Sequence, residues 1–184
     1  SKLFKTNFSN ARMFKINLDR TRLVLTNFTS ANLSLASMQG SLIRGTSFYG
    51  ANLELAKIVG DPDELMNLTG SNWEEADIQY SVLRYLDFSE AKLENVKGLE
   101  RAFGDASVIL PEGVERPGHW CNSVLSDPEF FGRYLGWLRE NHRYPKTIFE
   151  EYDAYKVIPA KTPCPEQRSP NQQTNKTDKL AAQN

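Results

Sequence analysis

The chain holds few side chains able to do chemistry, and their spacing narrows what they can do. Among its 184 residues are two cysteines, Cys121 and Cys164, and two histidines, His119 and His142. His119 and Cys121 flank Trp120 in a Pro- and Gly-rich stretch, where a tetrahedral metal site would need two further ligands. His142 and Cys164 are not spaced to supply them, so these residues read as structural and no metal is expected. The run Asp61-Pro62-Asp63-Glu64 could attract a cation or a basic partner, but it lacks the alternating ligands and glycine of a calcium loop. It reads as an exposed acidic loop, with Asp61, Asp63 and Glu64 as candidate partner-surface residues. No Ser-His-Asp set, phosphate-cradling glycine loop or paired buried carboxylate can be placed. No catalytic residue and no cofactor site are expected, and the chain reads as a non-enzyme.

Charge is the stronger signal. The formal net charge of −1 hides a division: residues 1–58 carry eight Lys or Arg against Asp19 and Glu54, a net of +6. Residues 59–98 carry three basic against nine acidic residues, a net of −6. The sum argues against a general nucleic-acid binder. Lys2 and Arg22 stand twenty residues apart, with Lys5, Arg12, Lys15 and Arg20 nearby. They form a candidate surface for anionic headgroups or an acidic partner. Apolar stretches of the ~20 residues that a membrane-spanning helix needs do not occur.

These residues are positioned by a period. Every fifth residue from Leu3 is large and apolar: Phe8, Met13, Leu18, Leu23, Phe28, Leu33, Met38, Ile43, Phe48, Leu53 and Ile58 follow. Two residues before each centre stands Ala, Ser or Thr, except at Ile16. The register resumes with Leu68, Trp73, Ile78, Leu83, Phe88 and Leu93 after an interruption over 59–67. Five is neither the 3.6 period of a helix nor the period of two of a strand. Phe8, Phe28, Phe48 and Phe88 are separated by multiples of twenty. Four pentads per coil would stack these rings in one column, with Leu68 in the missing place. Leu33, Leu53 and Trp73 would share another column. On that count the interruption occupies half a coil as a bulged loop and adds nothing to the repeat. Asn7, Asn27, Ser47, Asn67 and Asp87, beside the Phe column, are expected to hydrogen-bond up and down the outside of the stack or at its corners. One such side cannot bury its centre alone; stacked coils spaced ~4.8 Å apart can, and about five of them make a rod ~24 Å long.

The units Ala31-Asn32-Leu33, Ala51-Asn52-Leu53, Ser71-Asn72-Trp73 and Ala76-Asp77-Ile78 resemble the pentapeptide repeat family, over about residues 1–98. The resemblance implies a right-handed, four-sided parallel β-helix. It also implies a bacterial source, since similar Pro- and Gly-punctuated segments follow the last repeat in bacterial members, some with a membrane segment before the repeats. Ser1 already stands inside a pentad, so an upstream segment is expected.

A solenoid's end needs covering. Residues 99–158 are expected to supply the cap. Leu99–Phe103 can form one helical turn. Asp127-Pro128-Glu129 starts a helix, Phe130, Phe131, Tyr134, Leu135 and Leu138 line one face of it, and Pro145 stops the chain. The aromatic face is expected to cap the final coil, with a dimer or partner groove as the alternative. A second short helix is expected over 147–156, and residues 159–184 read as a disordered polar tail.

The expected function is a non-enzymatic interaction or scaffold module. Its partner would be another protein, or a second copy through the cap or the coil ends, with no direct nucleic acid. The resemblance supplies an alternative, a duplex-DNA mimic that protects or inhibits a type II topoisomerase such as gyrase. That role needs a continuous acidic stripe, and the basic residues 1–58 speak against one. A cytoplasmic location is expected, or the soluble part of a membrane-anchored protein.

Overall fold

A computed structural model describes residues 1–141 and 154–165 of the chain. Each pentad makes one side of a coil. Its centre and the small residue two before it face inward, and the residues flanking the centre face outward. The residue two beyond the centre takes a left-handed backbone that turns the corner: φ is +51° at Lys5, +59° at Asn10, +58° at Lys15 and +51° at Arg20. Such a backbone costs a side-chain-bearing residue roughly 1–2 kcal/mol, so the ladder between coils must hold it. Gly40 and Gly45 occupy the same corner position without that cost. At three of the four corners of a coil, the next small residue's amide donates back to the centre, as from Ala11 to Phe8, Ile16 to Met13 and Thr21 to Leu18.

Coils pair through their backbones. Phe28 N donates to Ser47 O at 2.8 Å, and Asn27 N to Thr6 O at 2.9 Å. The first side of the coil is the most extended. There β1 (Lys2–Phe4), β2 (Arg22–Val24) and β3 (Leu42–Arg44) form a parallel sheet. Lys2, Arg22 and Leu42 stand in register, as do Phe4, Val24 and Arg44. On another side β4 (Lys57–Val59) pairs with β6 (Val82–Arg84). Higher up, β5 (Met66–Asn67), β7 (Leu86–Asp87) and β8 (Val108–Ile109) pair in that order. Buried Thr26 and Thr46 donate their hydroxyls to the carbonyls of Leu3 and Leu23, one coil below, at 2.7 and 2.6 Å.

The interruption changes the count. Below it, partners are twenty residues apart, as Asn27 and Ser47; across it they are twenty-five apart, as Ser47 and Asn72, Asn52 and Asp77, Lys57 and Val82. The loop therefore adds one pentad and moves every later centre round by one side. Phe8, Phe28 and Phe48 stack with centroids 5.4 Å apart, but Trp73, not Leu68, continues the column, 4.3 Å from Phe48. Phe88 lies above Leu68 on the neighbouring side and meets Trp73 edge-on at 5.4 Å. Leu33 and Leu53 continue to Ile78 rather than to Trp73. The cause is burial: the period assigns Asp61 and Asp63 to interior positions, where a lone carboxylate would be desolvated without a partner. The chain bulges there with five consecutive exposed residues, Asp61 to Leu65, and re-enters where Met66 and Leu68 can be buried.

Of the two uses expected for the polar residues beside the Phe column, Asn and Asp take the turn, while Ser47 Oγ lies 3.2 Å from Thr29 Oγ1 of the coil below. Asn7, Asn27 and Asn67 each accept from the amide two residues on, at 3.0, 2.9 and 2.8 Å, and Asp87 does the same. These bonds stay inside one pentad because the turn holds that amide closer than the next coil's side chain.

Trp120 covers the last coil. Its indole donates to Ala102 O at 2.8 Å, and its ring fills the space a side chain on Gly104 would need. Helix α1 (Asp127–Asn141) does not cap that end. Its buried Phe130, Phe131, Tyr134, Trp137 and Leu138 cluster with Tyr80, Val82 and Phe103, and with Leu55 and Val59, along the outside of the later coils. Those outward positions are apolar, and α1 removes them from water. On its far side Gly132 and Gly136 let the chain 156–159 pass against the helix backbone. Of the second helix expected over 147–156, residues 147–153 lie outside the described residues, and 154–156 form a turn and a bend with no helix. The expected disordered tail over 159–184 starts too early: Thr162 O and Pro163 O accept from Arg133, and Cys164 is bonded to Cys121, so 159–165 are held against the helix; residues 166–184 lie outside the described residues.

Candidate functional site

The outer face of β1, β2 and β3 gathers most of the residues singled out by charge. Lys2 and Arg22 stand in adjacent coils, and Arg44 occupies the flanking row above Val24. Lys5 and Leu25 stand at the adjoining corner, where Leu25 folds over Gly45. Lys2, Lys5, Arg20, Arg22 and Arg44 are exposed, and no carboxylate lies within ion-pair distance of them among the described residues. Lys5 Nζ sits 5.3 Å from the Phe4 ring centroid.

The acidic loop borders the same face. Asp61, Glu64 and Leu65 line one cavity of about 320 Å³ together with Leu42 and Arg44. Asp61 and Pro62 line a second, of about 480 Å³, with Asp19, Arg20 and Gln39. Gly40, Gly60 and Asp61 line both, so the two adjoin and make a notch beneath the loop. Asp19 is committed, accepting from Ser37 Oγ at 2.6 Å and Gln39 N at 2.7 Å. Asp63 lies on the loop's exposed side, its amide donating to Asp61 Oδ1 at 2.9 Å. Lys2 and Arg22 lie on the coils below, so the structure brings both halves of the candidate surface to one edge of the rod.

The remaining chemistry-bearing residues serve the cap. Cys121 and Cys164 form a disulfide across 43 residues of sequence. His119 Nε2 lies 2.8 Å from Ala102 O, an oxygen that can only accept, so this nitrogen carries the proton. Its ring stacks on Trp137 with centroids 5.1 Å apart, and burial pushes its pKa below the ordinary imidazole value, partly offset by the Ala102 bond. Arg84 is 1% exposed and bonded to Leu125 O and Asp127, with Asp105 at 3.5 Å. Asp105, fully buried, also accepts from Ser107 N at 2.8 Å and Leu125 N at 2.9 Å. The neighbouring Tyr85 hydroxyl is raised in pKa by burial, with Arg84 opposing the shift. Among the described residues no group of three His, Cys, Asp or Glu is placed to hold a metal ion.

Sequence reading missed Arg84 and Asp105, which lie 21 residues apart and meet only through coil stacking. It also missed the exposed apolar residues Phe4, Leu25 and Leu42. The signal for them was present, since these positions face outward in every pentad.

The fold defines a class: a four-sided parallel β-solenoid of five-residue sides, with Trp120 over its end and a helix along one flank. The model of the pentapeptide repeat family matches residues 6–45, 21–60 and 66–95 with eight copies. The solenoid of this chain belongs to the pentapeptide repeat family. Among solved structures, the chain is similar to the pentapeptide repeat protein Rfr23 of the cyanobacterium Cyanothece 51142, at 25% identity and a TM-score of 0.30, covering 59% of this chain and 63% of that one. It is similar to HetL of Nostoc sp. strain PCC 7120, involved in heterocyst differentiation regulation, at 23% identity and a TM-score of 0.32, covering 61% and 52%. Trypsin-treated QnrB1, a plasmid-mediated fluoroquinolone resistance protein, matches at 18% identity and a TM-score of 0.28, covering 85% and 89%. The chain thus spans 63% and 52% of the lengths of Rfr23 and HetL. No curated protein sequence matches it significantly.

Proposed function

We propose that the chain is a non-catalytic protein-interaction module: a rod of residues 1–98 that presents charged sides to a partner protein, with residues 99–141 and 154–165 locking its upper end and flank. The observation that carries this reading is the outer side of β1–β3, where exposed cations and apolar side chains share a backbone-paired surface. Among the described residues, Cys121 and Cys164 are engaged in a disulfide, His119 in a carbonyl bond, and Arg84 and Asp105 in a buried ion cluster, which favours binding over catalysis. The aromatic face of α1 is consumed within the chain, which leaves the coil sides as the surface for partners.

The duplex-mimic reading is weaker, because the acids lie on the loop and the later coils, while the first three coils are basic. The disulfide also favours an oxidising compartment over the expected cytoplasmic one, since reducing compartments do not sustain such bonds. The test is a substrate panel for hydrolase and transferase activity together with a gyrase supercoiling assay. No turnover and no effect on supercoiling are expected. Turnover that disappears on mutating one residue cluster would overturn the reading, and gyrase inhibition or protection would favour the mimic.

A further inference from the structure

The outer side of β1–β3 combines features that a merely solvated face does not need. Phe4 is 63% exposed, Leu25 49% and Leu42 39%, on a side that also carries Lys2, Lys5, Arg22 and Arg44. Single exposed apolar residues, such as Phe14, are ordinary on a surface; here three share one side of three successive coils with four cations, a combination that suits a partner. The cations have no internal carboxylate partner among the described residues. The occupant must therefore bring both negative charge and apolar side chains.

Its size is also limited. Three coils at ~4.8 Å spacing and one side's width give an area well below the ~800 Å² per partner of a stable protein dimer. That size fits a chain segment better than a second folded copy. The loop decides between a segment and a lipid surface. Asp61 and Glu64 overhang the upper edge of the face, lining one cavity with Leu42 and Arg44. A planar anionic bilayer lying on this side would meet those carboxylates head-on, whereas a narrow segment runs up the rod, across the three strands, and stops at the notch.

We propose that the outer face of β1–β3, with the notch beneath Gly60–Leu65, is a docking groove for an acidic, apolar segment of a partner protein. Carboxylates of the segment pair with Lys2, Arg22 and Arg44, its apolar side chains cover Phe4, Leu25 and Leu42, and repulsion from Asp61 and Glu64 fixes where it ends. This rests on the interaction-module reading and adds the site and the chemistry of its partner.

The probe is a fluorescein-labelled peptide of about ten residues, long enough to cross three coils, alternating Glu with Leu and Phe. A peptide with Lys in place of Glu is the control. Anisotropy titration with the full chain is expected to give saturable binding of the Glu peptide alone, weakening as salt is raised. The pair Arg22→Glu with Arg44→Glu is expected to weaken it by about tenfold or more, and Phe4→Ser with Leu42→Ser by a comparable factor. Thermal unfolding of these variants should match the parent, because the residues are exposed. Glu74→Lys with Glu94→Lys, on another side of the later coils, should leave binding unchanged. Absence of saturable binding, equal binding of the Lys peptide, or indifference to both variant pairs overturns the proposal. So does sedimentation with phosphatidylserine vesicles that the peptide does not displace, or self-association abolished by the same variants. Failure of the peptide without turnover in the substrate panel refutes the groove alone, whereas turnover there refutes the module.

Discussion

Single residues hold this fold through bonds to neighbouring coils. Arg84 is the clearest case, since it ties a coil side to Asp105, Asp127 and the Leu125 carbonyl. Arg84→Ala leaves Asp105 buried without its cation and should cost about 3–5 kcal/mol in urea unfolding. His119 gives a pH dependence whose sign follows from its depressed pKa. The unfolded chain holds the proton more tightly, so the contribution is complete above the unfolded value near 6.5 and shrinks as pH falls below it. Because one proton is involved, the slope stays below about 1.4 kcal/mol per pH unit and flattens below the folded pKa. Equilibrium unfolding across pH 5–8 (roughly the imidazole range) checks this, and His119→Gln, which still donates to Ala102 O, should remove the slope.

At the scale of elements, the segment after the solenoid works as a sandwich. Helix α1 presents its aromatic side to the coils and its Gly132–Gly136 side to the chain 156–159, and Arg133 bonds Thr162 O at 2.8 Å and Pro163 O at 2.7 Å. The Cys121–Cys164 disulfide closes this strap over the helix. From the loop it closes, chain entropy assigns the bond about 4 kcal/mol. Reduction should therefore lower the unfolding temperature and raise hydrogen exchange in 154–165 and α1, while amides in residues 21–58 keep their protection. Equal loss across the whole chain would mean that the strap and the rod unfold as one unit. The start of α1 and its aromatic residues were legible from Asp127-Pro128-Glu129 and the spacing that follows. Where it docks was not, because that depends on Val59, Val82 and Phe103, far apart in sequence, facing outward from one side of the stack. The cysteine pair was invisible for a related reason: two cysteines imply no pairing until the fold brings their backbones together.

For the whole molecule, the solenoid and its repeat length were readable because the period acts at every fifth position from Leu3 to Ile58. The phase of the upper coils was not readable. An insertion of one pentad preserves a period of five, so Leu68 still falls in sequence register although Trp73 takes the place above Phe48. Only the geometry of partners reveals the slip, and it decides which side chains share a face. Without it, Phe88 would stand in the Phe column and Asp87 beside it. With it, Asp87 lies above the basic side of β1–β3, at the opposite end from Lys2. The division of charge along the rod follows from sequence order, but which later residues stand above the proposed groove follows from this arrangement. It is tested most directly by paired cysteines on outward positions, joined by a short bifunctional methanethiosulfonate reagent. Ser47→Cys with Asn72→Cys, bridged partners across the loop, should cross-link efficiently, while Ser47→Cys with Asn67→Cys, the partners of an uninterrupted count, should not. Efficient linking of the second pair and failure of the first would contradict the arrangement of faces on which the account depends.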